Sequence, residues 1–340
     1  MLVPVSPRQA MTRRGLRSVL PSLRAFAIAG VVITALAPSV AYAQDYPNKT
    51  IRLIVPFPVG GSSDAIGRML ADRLGLILKQ SIVVENKAGA GGMIGTDAVA
   101  KAAPDGYSLV LVDVFHASTP IYTRKMPYDA IRDFTPVSLI ARSPAFLVAS
   151  PAFEPKTAKD VVAYARANPN KLTMAIAGTG SVVVDLFKAR SGLDFVAVPY
   201  KGSSPAIQDL MGGQVNVFIT TMASAGAHVK AGRLRVLAAT GSKRNADFPD
   251  VPTFAEIGIA GMDYEQWFGV LAPANLPKPV VERISAAITQ VLKMPDVRER
   301  LSVMALEVAS PEPEEMRRKL EGDVARWQRL AKELDIKPLD

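Results

Sequence analysis

Short apolar segments that alternate with amphipathic helices constrain the fold of this chain more than any other feature. The segments IRLIV (51–55), SIVVE (81–85) and YSLVLV (107–112) are rich in β-branched residues and nearly continuous in apolar ones. Strands that are buried on both faces have this composition. Between the first two, the apolar residues of 64–78 recur at helical spacing and form one stripe. The pattern predicts an α/β fold with mainly parallel sheets.

The same alternation continues beyond residue 143, and a helix-rich tail follows the strand that begins at Trp267. Such a tail has to pack on an earlier part of the chain, so we expect the chain to enter a second domain near residue 143 and to return near 265. The predicted protein has two lobes with a cleft between them. Lobe 1 comprises residues 44–142 and 266–340, and lobe 2 comprises residues 143–265.

The first 43 residues have the three parts of an export signal. Five arginines precede the apolar run AFAIAGVVITAL (25–36), and the segment after it ends in Ala41-Tyr42-Ala43. The apolar run is shorter than the roughly 20 residues that span a bilayer. We expect cleavage near Ala43 and export from the cytoplasm. The pair Arg13-Arg14 leaves the twin-arginine route open beside the general secretion route.

Charge and cysteine content exclude several functions. Without the five arginines of the export signal, the formal net charge of +9 falls by 5 to +4, and basic and acidic residues are interspersed. Nucleic-acid binding needs clustered Lys and Arg, so we expect no nucleic-acid partner. The chain has no cysteine, which excludes disulfides, thiol chemistry and zinc–thiolate sites.

The stretch VPFPVGGSSD (55–64) joins the first strand to the first helix. The start of a helix exposes unpaired backbone N–H groups, and glycines let a ligand approach them. The bend therefore suits a carboxylate or a similar anion, although an ordinary turn in which Asp64 stabilises its own helix is the alternative. The candidate binding residues here are Pro58, Val59, Gly60, Gly61 and Ser62.

Two further loops offer helix starts in the second lobe. GTGS (178–181) ends a strand and opens a helix, and VPYKGSSPA (198–206) does the same with an aromatic residue and a cation. A serine nucleophile and a solvated turn lysine are the alternative interpretations of Ser181 and Lys201. The candidates are Gly178, Thr179, Gly180, Ser181, Tyr200, Lys201 and Gly202.

Nucleotide binding and catalysis are not supported by the sequence. In AGAGGMIG (88–95) a dinucleotide fingerprint would need glycine at 94, where the chain has Ile94. A serine nucleophile needs a base, and the only histidines are His116, which follows a strand end, and His228, which we expect on the surface. No group of residues has metal-ligand spacing. We therefore predict no enzyme activity, no cofactor and no metal.

The motifs, in their order along the chain, resemble those of the periplasmic substrate-binding proteins of tripartite tricarboxylate transporters, the Bug/TctC-type family. The matching stretches are YPNKTIRLIVPFPVGGSSD, VENKAGAGGMIGTDAVAKAAPDGYSL, MPYDAIRDFTPVSLIA, GTGS, VPYKGSSPAIQDLMGGQV, HVKAGRLRVLA, DVPTFAEIG and WFGVLAP. They occur in the same order along the predicted mature chain, from residue 46 to residue 273.

The resemblance implies a periplasmic binding protein of the second type, whose two lobes close on a carboxylated organic acid and deliver it to an integral-membrane permease. It implies ligand contacts from the bend at 58–62, the region of Phe115 and His116, the GTGS loop, and residues 200–202. We expect the protein to be a monomer in the periplasm. A receptor that presents its ligand to a sensor kinase, and an exported hydrolase that uses the same cleft, are the alternatives.

Three departures from the family pattern concern the pocket. VVVDLFK follows GTGS where the family usually has a small polar run with a histidine. After GGQV the chain has Asn216 and then Thr220, a further ligand-binding candidate, in place of acids. Phe115 and Asp113 stand where smaller polar residues are more usual. We therefore expect a monocarboxylate with an apolar or aromatic body; tight citrate binding without aromatic-acid binding would contradict this.

Overall fold

A computed structural model of the chain describes Met1 and residues 46–177 and 181–338. Residues 47–340 form one unit, and all the elements named below belong to it. Apart from Met1, the predicted export signal at 1–43 and its cleavage site lie outside the described residues. Within the described part of the chain, no helix is long and apolar enough to cross a membrane.

The described residues contain eleven strands. In chain order they are β1 (Ile51–Val55), β2 (Ile82–Asn86), β3 (Ser108–Asp113), β4 (Phe134–Ser143), β5 (Phe146–Ala149), β6 (Thr173–Ala177), β7 (Val196–Tyr200), β8 (Val217–Thr220), β9 (Arg235–Ala239), β10 (Gln266–Pro273) and β11 (Glu307–Val308).

Ten α-helices lie between and after these strands in the same described residues. They are α1 (Ser62–Leu78), α2 (Met93–Ala100), α3 (Val114–Ser118), α4 (Ala158–Ala167), α5 (Val182–Ser191), α6 (Ser203–Met211), α7 (Met222–Lys230), α8 (Lys278–Lys293), α9 (Pro295–Val303) and α10 (Pro313–Glu333).

The strands form two separate sheets, which divide the unit into two lobes. The first lobe contains the six-stranded sheet with the order β11-β4-β10-β3-β1-β2, and the second contains the five-stranded sheet β7-β6-β8-β5-β9. Every residue of β10 is buried, and β1 is buried except at Arg52, whose guanidinium pairs with Glu85 on β2. Such continuous burial explains the near-continuous apolar runs of these strands. The expectation of burial on both faces is wrong for SIVVE, because β2 lies at the edge of the sheet and none of its residues is fully buried.

The prediction of mainly parallel sheets is correct for only part of each sheet. In the first lobe β1 pairs in parallel with β2 and β3, but β10 is antiparallel to β3 and β4, and β11 is antiparallel to β4. In the second lobe β6 is parallel to β7 and β8, whereas β5 is antiparallel to β8 and β9. Strands β5 and β10, which the chain enters on crossing from the other lobe, are antiparallel to both of their neighbours, and the short strand β11 is antiparallel to β4 as well. A strand that enters a sheet from the other lobe is not bound to the direction that helical crossover connections impose.

The chain crosses between the two sheets twice, and the two crossings are joined by hydrogen bonds. It leaves the first sheet after Ser143 and enters the second at Phe146; it returns between Ala239 and Gln266. The hydroxyl of Thr240 accepts a hydrogen bond from Ala145 N at 2.8 Å and donates one to Tyr264 O at 2.8 Å. The predicted boundaries at 142/143 and 265/266 fall near these crossings, and their exact positions stay a prediction.

The C-terminal helices pack on the first lobe, as the helix-rich tail requires. Helix α10 lies against β4, and α8 lies against α1 and β4. Trp267 and Trp327 are both fully buried, and the indole N–H of Trp267 donates to Asp323 at 2.6 Å. Trp267 therefore belongs to the core of this lobe.

Candidate ligand-binding cavity

A cavity of about 60 Å³ lies between the two lobes and has room for several water molecules. The first lobe and the returning chain line it with Phe57, Pro58, Gly61, Ser62, Ser63, Asp113, Phe115, Tyr264 and Gln266. The second lobe lines it with Ala145, Ala177, Ser181, Val183, Gly202, Ser203, Ser204, Phe218, Ile219, Thr220 and Thr221.

Four helices of eight or more residues begin at this cavity. The residues that precede α1, α5, α6 and α7 are Gly61, Ser181, Gly202 and Thr221, and all four line the cavity. None of these four residues makes a side-chain hydrogen bond to cap its helix. The first backbone N–H groups of each helix therefore keep their hydrogen-bonding capacity, and the four positive dipole ends converge on one space. This arrangement favours an anion.

The bend before α1 is held in place by the buried side chain of Asp64. Its carboxylate accepts hydrogen bonds from Gly60 N at 3.0 Å, from Asn86 Nδ2 at 3.0 Å and from Arg68 Nε at 3.1 Å. Burial raises the pKa of Asp64, but the hydrogen bonds from Arg68, Gly60 and Asn86 outweigh it and lower the pKa overall. Gly60 has a φ of +86°, a conformation that glycine adopts without strain. Asp64 thus fixes the bend as well as occupying the first turn of its own helix.

The walls of the cavity are largely apolar. Val183, Phe218 and Ile219 face it from the second lobe. From the first lobe come the rings of Phe57 and Phe115, whose centroids are 5.9 Å apart. The cavity therefore combines an anion-binding end with surfaces that suit an apolar ligand body.

Asp113 is the acidic side chain among the lining residues, and it is only 5% exposed. It accepts hydrogen bonds from Phe115 N at 3.0 Å and from Ser63 Oγ at 3.4 Å, and the side chain of Gln266 hydrogen-bonds to it as well. Burial raises the pKa of Asp113 to about 7, although these three hydrogen bonds oppose the shift. A charged carboxylate in this position is therefore poorly stabilised by the protein alone.

The structure brings many of the predicted site residues to the cavity. Those that line it are Pro58, Gly61, Ser62, Phe115, Ser181, Gly202 and Thr220. Gly60, Val59 and Lys201 do not line the cavity and are all exposed, Val59 by 62%. Gly178, Thr179 and Gly180 lie outside the described residues.

His116 does not line this cavity. Its Nε2 lies 2.8 Å from Ala130 O, and its ring stacks on Tyr128 and contacts the edge of Phe134. Burial lowers the pKa of His116 to about 4, so the ring is neutral near pH 7. The side chain packs among Tyr128 and Phe134, away from the cavity lining, and supports the site only indirectly.

Tyr200 also lies outside the lining. Its hydroxyl donates to Asp209 on α6 at 2.8 Å, and burial together with this carboxylate raises the pKa of Tyr200 to about 12. The interaction ties the end of β7 to α6 and so positions the start of that helix at Gly202.

Several lining residues were absent from the sequence prediction. Ser63, Ser203, Ser204 and Thr221 belong to helix starts, and the Gly-Ser and Thr-Thr pairs in the sequence could have indicated them. Asp113 stood out as a departure from the family pattern without being placed in the site. Tyr264 and Gln266 gave no local signal, because only the crossing of the chain brings them to the cavity. Val183 belongs to the VVVDLFK segment, which stood out only as a departure from the family pattern. Among the described residues, no group of three or more His, Asp or Glu side chains could hold a metal ion.

The two lobes touch each other at the edge of the cavity. Ser62 Oγ shares hydrogen bonds with Thr221 Oγ1 at 2.7 Å and with Ser224 Oγ at 2.5 Å. Ser204 Oγ donates to Val59 O at 3.3 Å. Farther out, Tyr122 donates to Asp185, and Arg190 pairs with Glu333 at 3.0 Å. Each of these contacts joins a residue of one lobe to a residue of the other, so the described conformation is closed.

Two α/β lobes, two crossings and a cavity between the lobes define a periplasmic binding protein. Residues 66–336 match the sequence profile described as the tripartite tricarboxylate transporter family receptor, and the chain belongs to this family. It is therefore a periplasmic solute-binding protein of the TctC/Bug type. The family membership and the two-lobed α/β fold expected from the sequence are both confirmed.

Three similar proteins illustrate the relationship. BugT of Bordetella pertussis is 35% identical over 323 residues, which cover 92% of this chain and 98% of BugT. The structure of R. palustris Rpa4515 with adipate is 34% identical, with a TM-score of 0.83, and the match covers 87% of this chain and 100% of that one. MatC from Rhodopseudomonas palustris with bound malate is 32% identical, with a TM-score of 0.80, over 84% of this chain and 99% of that one.

Proposed function

We propose that this protein captures a carboxylated organic acid with an apolar or aromatic body between its lobes and delivers it to an integral-membrane permease. The observation that carries the proposal is the convergence of four uncapped helix starts on one cavity. The adipate and malate bound to two structural neighbours support a carboxylate as the ligand. The transporter family of the chain supports delivery to a permease.

Neutral donors suit a protein that must release what it binds. Backbone N–H groups and hydroxyls such as that of Ser181 stabilise a carboxylate without a fixed opposite charge. None of the lining residues is Lys, Arg or His, so opening of the lobes does not have to break an ion pair with the ligand carboxylate. Capture and release then depend on the equilibrium between closed and open conformations, which a ligand shifts only if it binds the closed one better.

The apolar walls support a ligand body with few polar groups. Val183 belongs to the VVVDLFK segment, which departs from the family pattern, and Phe115 is a second departure. Both line the cavity, opposite each other across the lobes. A citrate-like acid would bring additional carboxylates against these side chains and would lose their hydration without new partners.

Export, the ligand-binding unit and its oligomeric state complete the proposal. We propose that cleavage near Ala43 releases a periplasmic monomer, with residues 44–142 and 266–340 as lobe 1 and residues 143–265 as lobe 2. The proposal includes no catalytic step. Ser181 lines the cavity without a histidine among the lining residues, and His116 is engaged elsewhere with Ala130 O.

A thermal-shift screen of the purified protein against aliphatic and aromatic mono-, di- and tricarboxylates tests the function. A ligand at 100 times its Kd should add about 2.7 kcal/mol of stability. We expect shifts with monocarboxylates that have an apolar body. The proposal fails if no carboxylate raises the unfolding temperature, and its finer part fails if only citrate-like acids do.

A matched pair of glycine variants tests whether the ligand binds at the helix starts or whether any Gly→Val substitution reduces the ligand-induced shift. Gly61→Val places a side chain over the start of α1, where a Cβ has only ordinary contacts, with Pro58 O at 3.8 Å and Ser204 Oγ at 4.0 Å. It should fold normally and lose the ligand-induced shift. Gly322→Val lies on α10 with open space around its Cβ, and it should keep the shift.

A further inference from the structure

An acidic side chain lies in the wall of the cavity without a cation. Asp113 is 5% exposed and lines the space where the ligand is expected. None of the lining residues is basic, and the undescribed loop residues 178–180 are glycine and threonine. The three neutral donors to Asp113 described above come from α1, from α3 and from β10.

The remaining ionisable groups around Asp113 are also neutral. Tyr264 donates its hydroxyl to Gln266 Oε1 at 2.6 Å, which leaves the amide N–H groups of Gln266 free to face Asp113. Burial, with smaller effects of Asp113 and Asp323, raises the pKa of Tyr264 well above its usual value. His116 and Tyr128 line a smaller cavity that Asp113 also lines. Burial lowers the pKa of His116 and raises that of Tyr128, so neither carries a charge near pH 7.

This environment has consequences for the ligand. A buried carboxylate without a cation is unfavourable when charged, and a positive group at hydrogen-bonding distance would stabilise it. A second ligand carboxylate at the same place would meet a like charge instead. Asp113 therefore selects for a ligand that brings its own cation.

The position of Asp113 fixes where that cation has to be. Ser63 lies in the first turn of α1, and its hydroxyl donates to Asp113. The N–H groups at the start of α1 and the carboxylate of Asp113 are consequently neighbours. A ligand that uses both needs its carboxylate and its cation on adjacent atoms, as an α-amino acid has them.

We propose that the ligand is an α-amino acid with an apolar side chain, and that Asp113 is the residue that recognises its ammonium group. The inference rests on the carboxylate-binding function proposed above. The ligand carboxylate lies at the helix starts, its ammonium group donates to Asp113, and its side chain packs among Phe115, Val183 and Phe218.

Calorimetry with three ligands of the same shape tests the ammonium group directly. Leucine, 2-hydroxy-4-methylpentanoate and 4-methylpentanoate differ only in the group next to the carboxylate. We expect leucine to bind at least tenfold more tightly than the other two at pH 7.5. Equal or tighter binding of 4-methylpentanoate overturns the inference while it supports the proposed function. A protein that binds none of a full panel of carboxylates and amino acids contradicts both.

The pH dependence of binding has opposite signs for the two ligand classes. An ammonium group requires the charged form of Asp113, so leucine should bind about twentyfold more weakly at pH 5.5 than at pH 7.5 for a carboxyl pKa near 7. A dicarboxylate such as adipate or malate requires the protonated form and should bind more tightly at pH 5.5. Dicarboxylate binding that strengthens at low pH, with no leucine binding at pH 7.5, overturns the inference.

Two matched variants show whether Asp113 is responsible. Asp113→Asn keeps an acceptor for Phe115 N and removes the charge; it should weaken leucine at least tenfold and leave 4-methylpentanoate unchanged or tighter. Asp323→Asn changes another buried acid, which accepts from Trp267 outside the cavity, and it should alter neither affinity. An equal loss of both ligands in Asp113→Asn would show a merely structural role and would overturn the inference.

Discussion

The helix starts around the cavity differ from the start of α4 elsewhere in the second lobe. At α4, Thr157 Oγ1 accepts from Asp160 N at 3.1 Å, and the Asp160 carboxylate accepts from Thr157 N at 2.9 Å. This capping box satisfies two backbone N–H groups within the helix itself. The four helices that begin at the cavity have no such caps. Capping residues therefore stabilise the start of α4, whereas the helices at the cavity keep their first backbone N–H groups available to a ligand.

A similar contrast exists between the two buried ionisable groups beside α3, and it predicts the largest effect. The pKa of His116 is about 4 in the folded protein and 6.5 in the unfolded chain. Between these values only the unfolded chain binds the proton, so the free energy of unfolding falls as the pH drops from 6.5 to 4. The pKa of Asp113 is about 7 in the folded protein, so between pH 7 and 4 the folded protein holds a proton that the unfolded chain releases. The free energy of unfolding therefore rises as the pH drops through this range. The contribution reaches about 3 kcal/mol for His116 and about 4 kcal/mol for Asp113, so together they should largely cancel.

Chemical denaturation of the ligand-free protein between pH 4.5 and 7.5 measures these slopes. His116→Gln should become more stable toward acid relative to the native chain, and Asp113→Asn should become less stable. Identical slopes in both variants and the native chain would show that neither group is perturbed as described.

The second-largest effect concerns the close approach of the two lobes at Gly202. A Cβ at this position would lie 3.0 Å from Pro58 Cδ, in the other lobe. Opening of the lobes would relieve this contact. Gly202→Val should therefore weaken the ligand by about tenfold to a hundredfold, in line with overpacking energies of about 1–3 kcal/mol. The unfolding temperature of the ligand-free variant should change little, because opening relieves the contact. An unchanged ligand affinity would contradict closure at this point.

A smaller effect is expected at Ser62, which bonds to Thr221 and Ser224 across the edge of the cavity. Ser62→Ala removes two neutral hydrogen bonds, each worth about 1 kcal/mol, and should weaken the ligand roughly threefold to thirtyfold. Titration calorimetry measures the change. Ser302→Ala, at an exposed position on α9, is the control and should bind as the native protein does.

The smallest effect on binding is expected from the capped helix. Thr157→Ala breaks the capping box of α4 and should lower the free energy of unfolding by about 1 kcal/mol. Ligand affinity should stay the same, because Thr157 does not line the cavity. Loss of affinity in this variant would show that the two kinds of helix start are coupled.

Sequence patterns predicted the parts of the fold that depend on neighbouring residues. Strands such as β1 and β3 are continuous apolar runs, and the capping box at Thr157 needs only three residues. Strand β4 gave no clear signal: Thr135, Pro136 and Ser138 interrupt its apolar run, and its pairing with β10 has a register shift at the proline. Its partner is more than a hundred residues away in the sequence.

The site divides in the same way. Gly61, Ser181 and Gly202 were predictable because a helix start is a local feature of the chain. The directions of His116 and Tyr200 were not, because they are set by Ala130 O and by Asp209, which only the folded chain places beside them. The sequence did not indicate a role for Asp113, because only the fold shows that it lines the cavity and that no basic residue lines the cavity with it.

The hydrogen bonds of Thr240 to Ala145 and Tyr264 join the outgoing and returning segments at one point. Because the two segments are joined there, we expect one lobe to rotate against the other about this point and not to slide past it. A membrane partner that contacts both lobes would then distinguish the ligand-bound protein from the ligand-free protein by the angle between the lobes.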